Sequence, residues 1–164
     1  GIMFNHESSL RKKHFLTKKI VSGLIDIKLG IKKNVFVGNL NVERDWGFAP
    51  EYVIAMHLML QKKISKDYII ATGKKYSVRQ LISIVAKIIN IKIIWKGNGL
   101  KEIGYDAENK KKIILVSKDL YRPIELKSIK GNIANTKKEL KWSPKIKFKE
   151  MLEILVDEEM RNRF

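Results

Sequence analysis

The spacing of apolar residues along the chain predicts several helices. In residues 15–30, FLTKKIVSGLIDIKLG, apolar side chains recur at close to helical intervals, and Gly30 is suited to end the helix. Another helix is expected from Pro50, because a proline in the first turn gives up no hydrogen bond. A third is predicted after Ser77, whose hydroxyl can cap its first turn. Residues 147–162 predict a final amphipathic helix with charged residues on its outer face.

Runs of β-branched and aromatic residues predict short strands between these helices. The predicted strands are residues 1–4, 34–40, 67–73, 91–97 and 113–117. A polar turn is expected over residues 41–47, and a loop rich in glycine and charge over residues 98–112. Asn135 and Thr136 are expected to cap a short helix.

The order of these elements predicts an α/β chain of α+β character. Strands and helices do not alternate strictly, so a free-standing parallel sheet is not expected. The opening run, Gly1–Phe4, has the character of a buried strand and has no partner nearby in sequence. Polar residues 5–8 follow it, at the position where open α/β sheets carry their chemistry. The 164 residues are therefore expected to be one part of a larger protein.

The net charge raises the question of nucleic-acid binding. A formal charge of +17 and a pI near 10 are typical of proteins that bind nucleic acids. The basic residues, however, are spread along the chain between apolar residues, with no concentrated arm. No helix-turn-helix, RNP aromatic pair or zinc motif accompanies them. A small anionic ligand is therefore favoured, and a basic nucleic-acid-binding module stays the alternative.

Several classes of site find no support in the sequence. The absence of cysteine excludes disulfides and thiolate metal sites, and it fits a cytoplasmic protein. No apolar run approaches the roughly 18 residues of a membrane span, so no membrane association is expected. His6, His14 and His57 lack the spacing of zinc ligands, and neither a G-x-G-x-x-G motif nor a P-loop occurs. No metal ligand and no catalytic residue are assigned.

Two arginines beside turns are candidates for binding an anion. Arg44 follows a predicted strand, and Arg122 precedes a proline. A guanidinium group can bind a phosphate through two parallel hydrogen bonds. The alternative is that each forms a surface salt bridge, Arg44 with Asp45 or Glu43 and Arg122 with Glu125. Spacing alone favours the salt bridges, because a binding role requires distant loops to converge.

Five blocks of the sequence carry a family resemblance: GIMFNHESSLRKKHFLTKKI, VFVGNLNVERDWGFAPEYVIAMHLMLQ, YIIATGKKYSVRQ, DLYRPIEL and KKELKWSPKIKFKEML. In this order they resemble the second half of the GDP-mannose 4,6-dehydratases, a branch of the extended short-chain dehydrogenase/reductase family. A lone R-P-x-E would be a weak signal. Together with N-H-E-S and G-N-L-x-x-x-R-D-W-G it is specific to this branch, and the resemblance covers nearly the whole chain.

The resemblance implies an enzyme of which this chain is the carboxyl-terminal part. In that family a bound NADP oxidises the sugar at C4, water is lost across C5 and C6, and the hydride returns to C6. The catalytic threonine, glutamate and Tyr-x-x-x-Lys pair lie in the amino-terminal Rossmann half. No tyrosine here has a lysine four residues on. Residues 1–164 are thus expected to be the sugar-nucleotide-binding part, to begin with the last Rossmann strand, and to work with the absent half in a homo-oligomer.

The resemblance also implies roles for individual residues. His6 and Arg11 match positions that contact NADP. The positions expected to contact a GDP-sugar are Asn5, Leu16, Lys19, Gly38, Arg44, Arg122 and Glu125. Among these, the cations would meet the diphosphate, the carboxylate would meet a ribose hydroxyl or the guanine edge, and Leu16 and Gly38 would shape the base pocket.

Some positions depart from the family pattern. Ser9 and Leu10 replace the usual proline and arginine after N-H-E-S, which bears on the NADP contacts. Phe48, Glu51 and Lys141 replace the commoner histidine, aspartate and glycine, and these changes are expected to be structural. A relative acting on GDP-heptose would look the same at this level. An enzyme for UDP- or dTDP-sugars is disfavoured by the R-D-W-G and R-P-x-E contexts.

Overall fold

A computed structural model describes residues 1–122 and 124–163 of the chain. These residues form five α-helices: Leu16–Lys28 (α1), Ala49–Leu60 (α2), Val78–Ile88 (α3), Ala134–Leu140 (α4) and Phe148–Arg161 (α5). They also form ten short strands: Ile2–Met3 (β1), Asn5–Glu7 (β2), Val35–Val37 (β3), Glu43–Arg44 (β4), Trp46–Phe48 (β5), Ile69–Ile70 (β6), Tyr76–Ser77 (β7), Ile93–Lys96 (β8), Ile103–Asp106 (β9) and Lys112–Val116 (β10). Two 3₁₀ turns lie at Gly99–Lys101 and Lys118–Leu120.

The strands pair into four small sheets. The largest has the order β3-β10-β9-β8, in which β3 and β10 are parallel and the other pairs antiparallel. The pairs β1–β6 and β2–β5 are parallel, whereas β4–β7 is antiparallel. The mixture of pairings confirms the predicted α/β chain without strict alternation.

Helix boundaries follow local sequence signals at α1 and α3. Ser77 caps α3 as predicted: its hydroxyl accepts a hydrogen bond from the Gln80 backbone, and the Gln80 side chain accepts one from the Ser77 backbone. Gly30 follows the end of α1 with a φ of +74°, a left-handed conformation that glycine adopts without strain. Both predicted helix ends are confirmed.

The main core lies between three helices and the four-stranded sheet. The apolar faces of α1, α3 and α5 meet there, with fully buried side chains such as Ile20, Leu81 and Leu152. From the sheet, Ile113 and Ile114 reach the same core. This packing accounts for the helical periodicity of the sequence, since each amphipathic helix turns its apolar stripe toward the others.

The opening segment forms a strand, as predicted, and it has a partner in this chain. Ile2 and Met3 pair in parallel with Ile69 and Ile70. The small sheet that includes the opening strand therefore contains two strands of this chain, β1 and β6. It packs with α2 on a second, smaller core that includes Tyr52.

Three local predictions were wrong. The segment 41–47, expected to be a turn, contributes β4 and β5, because Trp46 and its neighbours pair with β2. The expected loop 98–112 contains β9, which pairs with both β8 and β10. The short helix α4 begins at Ala134, so Asn135 and Thr136 lie inside it, and the Thr136 hydroxyl donates to the Ile69 carbonyl at 2.7 Å.

A buried carboxylate joins three of these segments. Asp45 lies between β4 and β5, is fully buried, and accepts hydrogen bonds from the Thr72 backbone and hydroxyl at 2.8 and 2.6 Å. It also accepts from the backbones of Gly73 at 2.8 Å and Gly131 at 3.2 Å. Four donors satisfy one buried charge, which makes this residue a structural junction.

We expect Asp45→Asn to destabilise the fold by about 2–4 kcal/mol, because an amide turns one acceptor into a donor facing other donors. The free energy of unfolding in urea measures the loss. Asp157→Asn, at an exposed position on α5, is the matched control and should change it by less than about 0.5 kcal/mol. Equal stabilities of the two variants would contradict the role of Asp45.

Candidate functional site

Five separate segments of the chain converge on one cavity of about 450 Å³. Its lining includes every position that the resemblance assigned to the sugar nucleotide: Asn5, Leu16, Lys19, Gly38, Arg44, Arg122 and Glu125. Their spacing along the chain did not show that they would meet. A binding role for Arg44 and Arg122 requires that the loops carrying them meet, and in the structure they do.

The strands β2, β4 and β5 position part of this lining. Asn5 on β2 stands beside Trp46 on β5, which also lines the cavity. The backbone of Glu43 on β4 donates to the Lys127 carbonyl at 2.8 Å, and its carbonyl accepts from Ile129 at 3.2 Å. These bonds hold the segment that carries Glu125 against β4.

Arg44 is half-buried and partly engaged. Its Nη1 donates to the carbonyls of Glu43 and Leu126, both at 2.8 Å, and its Nη2 donates to Oε1 of Glu125 at 2.7 Å. A guanidinium group has five N–H donors. Nε–H and one hydrogen of Nη2 therefore make no hydrogen bond with the described residues, and they are available to an anion.

The salt bridges expected from spacing do not form as predicted. Within residues 1–122 and 124–163, Glu125 pairs with Arg44, and the side chain of Arg44 pairs with neither Asp45 nor the carboxylate of Glu43. Arg122 is exposed at the cavity and forms no ion pair with Glu125. The sequence separation explains the error, because the partners that do meet are 81 positions apart in the sequence.

Lys19 places a second cation in the cavity. It lies in the first turns of α1, is half-buried, and forms no ion pair with the described residues. Burial lowers the pKa of Lys19 below its ordinary value. A partly desolvated ammonium group without a carboxylate partner is suited to binding an anionic ligand.

Gly38 allows two backbone segments to approach each other. A Cβ atom at this position would lie 2.3 Å from the carbonyl oxygen of Leu120. The absence of a side chain therefore lets the 3₁₀ turn Lys118–Leu120 pack against the end of β3. That contact sets where the chain continues into Arg122.

The two residues assigned to NADP lie together beside the cavity. Nη1 of Arg11 donates to the His6 carbonyl at 2.5 Å, and its guanidinium lies 4.0 Å from the ring centroid of Phe15, which lines the cavity. The His6 ring packs on Tyr52 with centroids 5.4 Å apart. The His6 imidazole has a separate partner, because its Nδ1 lies 2.8 Å from the Phe4 carbonyl oxygen.

Glu7 is a buried carboxyl group beside Arg11. It is 3% exposed, and its Oε2 lies 3.4 Å from Nε of Arg11. Burial raises the pKa of Glu7 from 4.5 to about 7, although Arg11 and the Thr17 hydroxyl lower it. Since the cost of desolvation exceeds the attraction of Arg11, this carboxyl group changes its charge near neutral pH.

Sequence reasoning missed several residues of the cavity wall. Phe15 and His14 line it with rings 4.3 Å apart, and Trp46 and Val42 add apolar surface. Phe15 fell within the helix predicted for residues 15–30, so its spacing carried no signal for a cavity. The contribution of Trp46 could not be read from spacing, because β5 was not predicted.

Membrane-spanning helices and metal-binding clusters are both absent from residues 1–122 and 124–163. No helix in these ranges is long and apolar enough to cross a membrane. The described residues also contain no group of three or more histidine, aspartate or glutamate side chains placed to hold a metal ion.

The fold is also found within solved structures of longer chains. It matches RMD from Pseudomonas aeruginosa complexed with NADPH, with a TM-score of 0.78, 20% identity, and coverage of 99% of this chain and 48% of that one. It also matches a dTDP-glucose 4,6-dehydratase from Bacillus anthracis in complex with NAD, with a TM-score of 0.71, 15% identity, and coverage of 98% and 43%. The architecture of this chain is therefore that of about half of each of these solved structures.

Sequence similarity narrows the class. Residues 1–155 match the family described as GDP-mannose 4,6 dehydratase, and the chain belongs to that family. It is 40% identical over 156 residues to the GDP-mannose 4,6 dehydratase of Dictyostelium discoideum and 38% identical over 156 residues to that of Homo sapiens. These matches cover 95% of this chain and 44% and 42% of the two relatives. The chain thus spans less than half the length of these relatives.

We expect the buried Glu7 to make stability depend on pH. A raised pKa means that the folded state holds the proton more tightly, so the contribution of Glu7 to stability falls as pH rises from 4.5 to about 7. Glu7→Gln does not titrate. It should therefore gain about 1–3 kcal/mol relative to wild type between pH 5 and pH 8, measured by urea unfolding at each pH.

The control for this pH dependence is Glu108→Gln, at an exposed loop position. Its difference from wild type should stay constant across the same range. A constant difference for Glu7→Gln as well would contradict the raised pKa.

Proposed function

We propose that residues 1–164 are the GDP-sugar-binding part of a GDP-mannose 4,6-dehydratase. The observation that carries the proposal is the convergence of all seven family-matched positions on one cavity. Two cations in that cavity, Lys19 and Arg44, retain donors that no described residue uses. A diphosphate brings the negative charge that would satisfy them.

Each part of the cavity has a proposed role. Lys19, Arg44 and Arg122 bind the diphosphate. Glu125, held by Arg44 at 2.7 Å, accepts a hydrogen bond from a ribose hydroxyl or from the guanine edge. The remaining positions shape the pocket for the base and the sugar: Asn5, Leu16 and Gly38.

The complete enzyme is proposed to use NADP, with His6 and Arg11 as this chain's contacts to it. When bound, the nicotinamide group supplies the hydride acceptor and donor of the reaction. Arg11 meets negative charge on the cofactor. The His6 carbonyl accepts a hydrogen bond from Arg11, which holds the backbone of His6 in place. The acid–base chemistry belongs to the amino-terminal Rossmann half, which is the proposed partner of this chain within a homo-oligomer.

Binding of GDP tests the roles of the arginines. Arg44→Ala and Arg122→Ala should each cost about 2–4 kcal/mol of GDP binding, because each removes a charged partner of the diphosphate. Arg44→Lys and Arg122→Lys keep the charge but lose the planar fork, and they should restore binding only in part. Glu125→Gln should cost less than the alanine variants. Calorimetric titration of GDP and UDP into wild type and each variant measures these differences.

Arg161→Ala is the matched control for these titrations, since it removes an exposed arginine from α5. It should bind GDP like wild type. If Arg44→Ala and Arg122→Ala also bind GDP like wild type, the site assignment is wrong. Equal affinity for UDP would favour an enzyme for other sugar nucleotides.

We expect the 164-residue chain by itself to be inactive. It contains neither the glycine-rich cofactor fingerprint nor a Tyr-x-x-x-Lys pair. Incubation of the purified chain with GDP-mannose and NADP, followed by chromatography of the sugar nucleotide, should return the substrate unchanged. Formation of a 4-keto-6-deoxy product would refute this expectation.

A further inference from the structure

A second cavity shares one wall with the site described above. It has a volume of about 430 Å³, and Trp46 lines both cavities. None of the residues matched to GDP-sugar or NADP contacts lines it. Its size is within the range of pockets that hold small molecules.

The inner wall of this second cavity is aromatic. The rings of Tyr76 and Phe148 stack with centroids 4.0 Å apart and an interplanar angle of 11°. Phe148 in turn stacks on Trp46 at 5.6 Å and 21°. Ile84 and Ile146 add aliphatic surface. An apolar, planar group would find complementary surface here.

The rim carries four lysines and no carboxylate. They are Lys74, Lys145, Lys147 and Lys149, and all four are exposed. Lys149 pairs with Glu153 at 2.8 Å. The other three form no ion pair with the described residues. Unpaired ammonium groups around an aromatic wall indicate a ligand that is both negatively charged and apolar.

The lysine-bearing loop is held in place before any ligand arrives. The carboxylate of Glu51 on α2 accepts hydrogen bonds from the backbone of Lys145 at 2.6 Å and of Ile146 at 3.2 Å. The Glu51 carbonyl accepts another from the Trp142 indole at 3.1 Å. Because this wall is already ordered, binding of a ligand costs less conformational entropy.

We infer that this second cavity binds a small anion bearing an aromatic ring, and that its occupancy alters nucleotide binding through Trp46. The ring lies against Tyr76 and Phe148, and the anionic group meets Lys145 and Lys147. Because Trp46 is 2% exposed and stacked on Phe148, a ligand that shifts the stack also shifts a wall of the nucleotide cavity. The coupling, but not the binding, rests on the proposed function.

Binding is tested with 1-naphthyl phosphate as the probe and the full 164-residue chain. In calorimetric titrations, 1-naphthyl phosphate should bind to the chain. 1-Naphthol and inorganic phosphate should bind at least about tenfold more weakly, because the first lacks the anionic group and the second lacks the aromatic ring. Lys145→Ala/Lys147→Ala should weaken binding of the probe about fivefold to tenfold, since exposed ion pairs each contribute little.

The matched control is Lys137→Ala/Lys138→Ala, which removes the same charge from exposed positions on α4. It should bind the probe like wild type. Arg44→Ala should also keep probe binding, which separates this cavity from the nucleotide cavity. Equal binding by the two double variants, or loss of probe binding in Arg44→Ala, would overturn the proposed site.

Coupling is tested by titrating GDP into wild type with and without saturating 1-naphthyl phosphate. The affinity for GDP should change at least about threefold, and the affinity for the probe should change by the same factor when GDP is saturating. In the Lys145→Ala/Lys147→Ala variant, the probe should leave the affinity for GDP unchanged when it is added at a concentration that saturates wild type but not the variant. If the probe leaves the affinity of wild type for GDP unchanged, the role of Trp46 is overturned. If wild type does not bind GDP even without the probe, the result counts against the proposed function alone.

Discussion

The arrangement of the site depends on the buried carboxylate of Asp45. This group accepts four hydrogen bonds, from Thr72, Gly73 and Gly131, and it is fully buried. Its chain neighbours are Arg44, which lines the nucleotide cavity, and Trp46, which lines both cavities. A single satisfied charge therefore fixes the backbone that carries Arg44, proposed to bind an anion, and Trp46, the wall that the two cavities share.

The high positive charge of the chain is not what distinguishes the site. Most lysines are exposed and spread over the surface, where solvent and salt screen them. Lys19 and Arg44 differ because they are half-buried around a cavity and retain unused donors. Burial of Lys19, which has no carboxylate partner among the described residues, is costly, and an anionic ligand would relieve that cost. The proposed preference of the cavity for anions therefore rests on the position of these two cations, more than on the count of charges.

The part of the fold around β1 and α2 differs in character from the main core. Ile2 is 54% exposed, and Val53 and Ile54 on α2 are 59% and 55% exposed. A two-stranded parallel sheet is marginal by itself, and apolar surface beside it favours contact with further protein. This surface agrees with the proposal that the chain functions together with an amino-terminal half.

The sequence by itself determined the helices α1, α3 and α5, the Ser77 cap and the family. The helices and the cap depend on residues within a few positions of one another, where periodicity and capping chemistry act, and the family is recognisable from five ordered blocks of sequence. Only the tertiary structure decided that Arg44 meets Glu125, 81 residues away, and that Trp46 separates two cavities. A short strand such as β5 forms through pairing with the distant β2, and local spacing carries no record of such a partner.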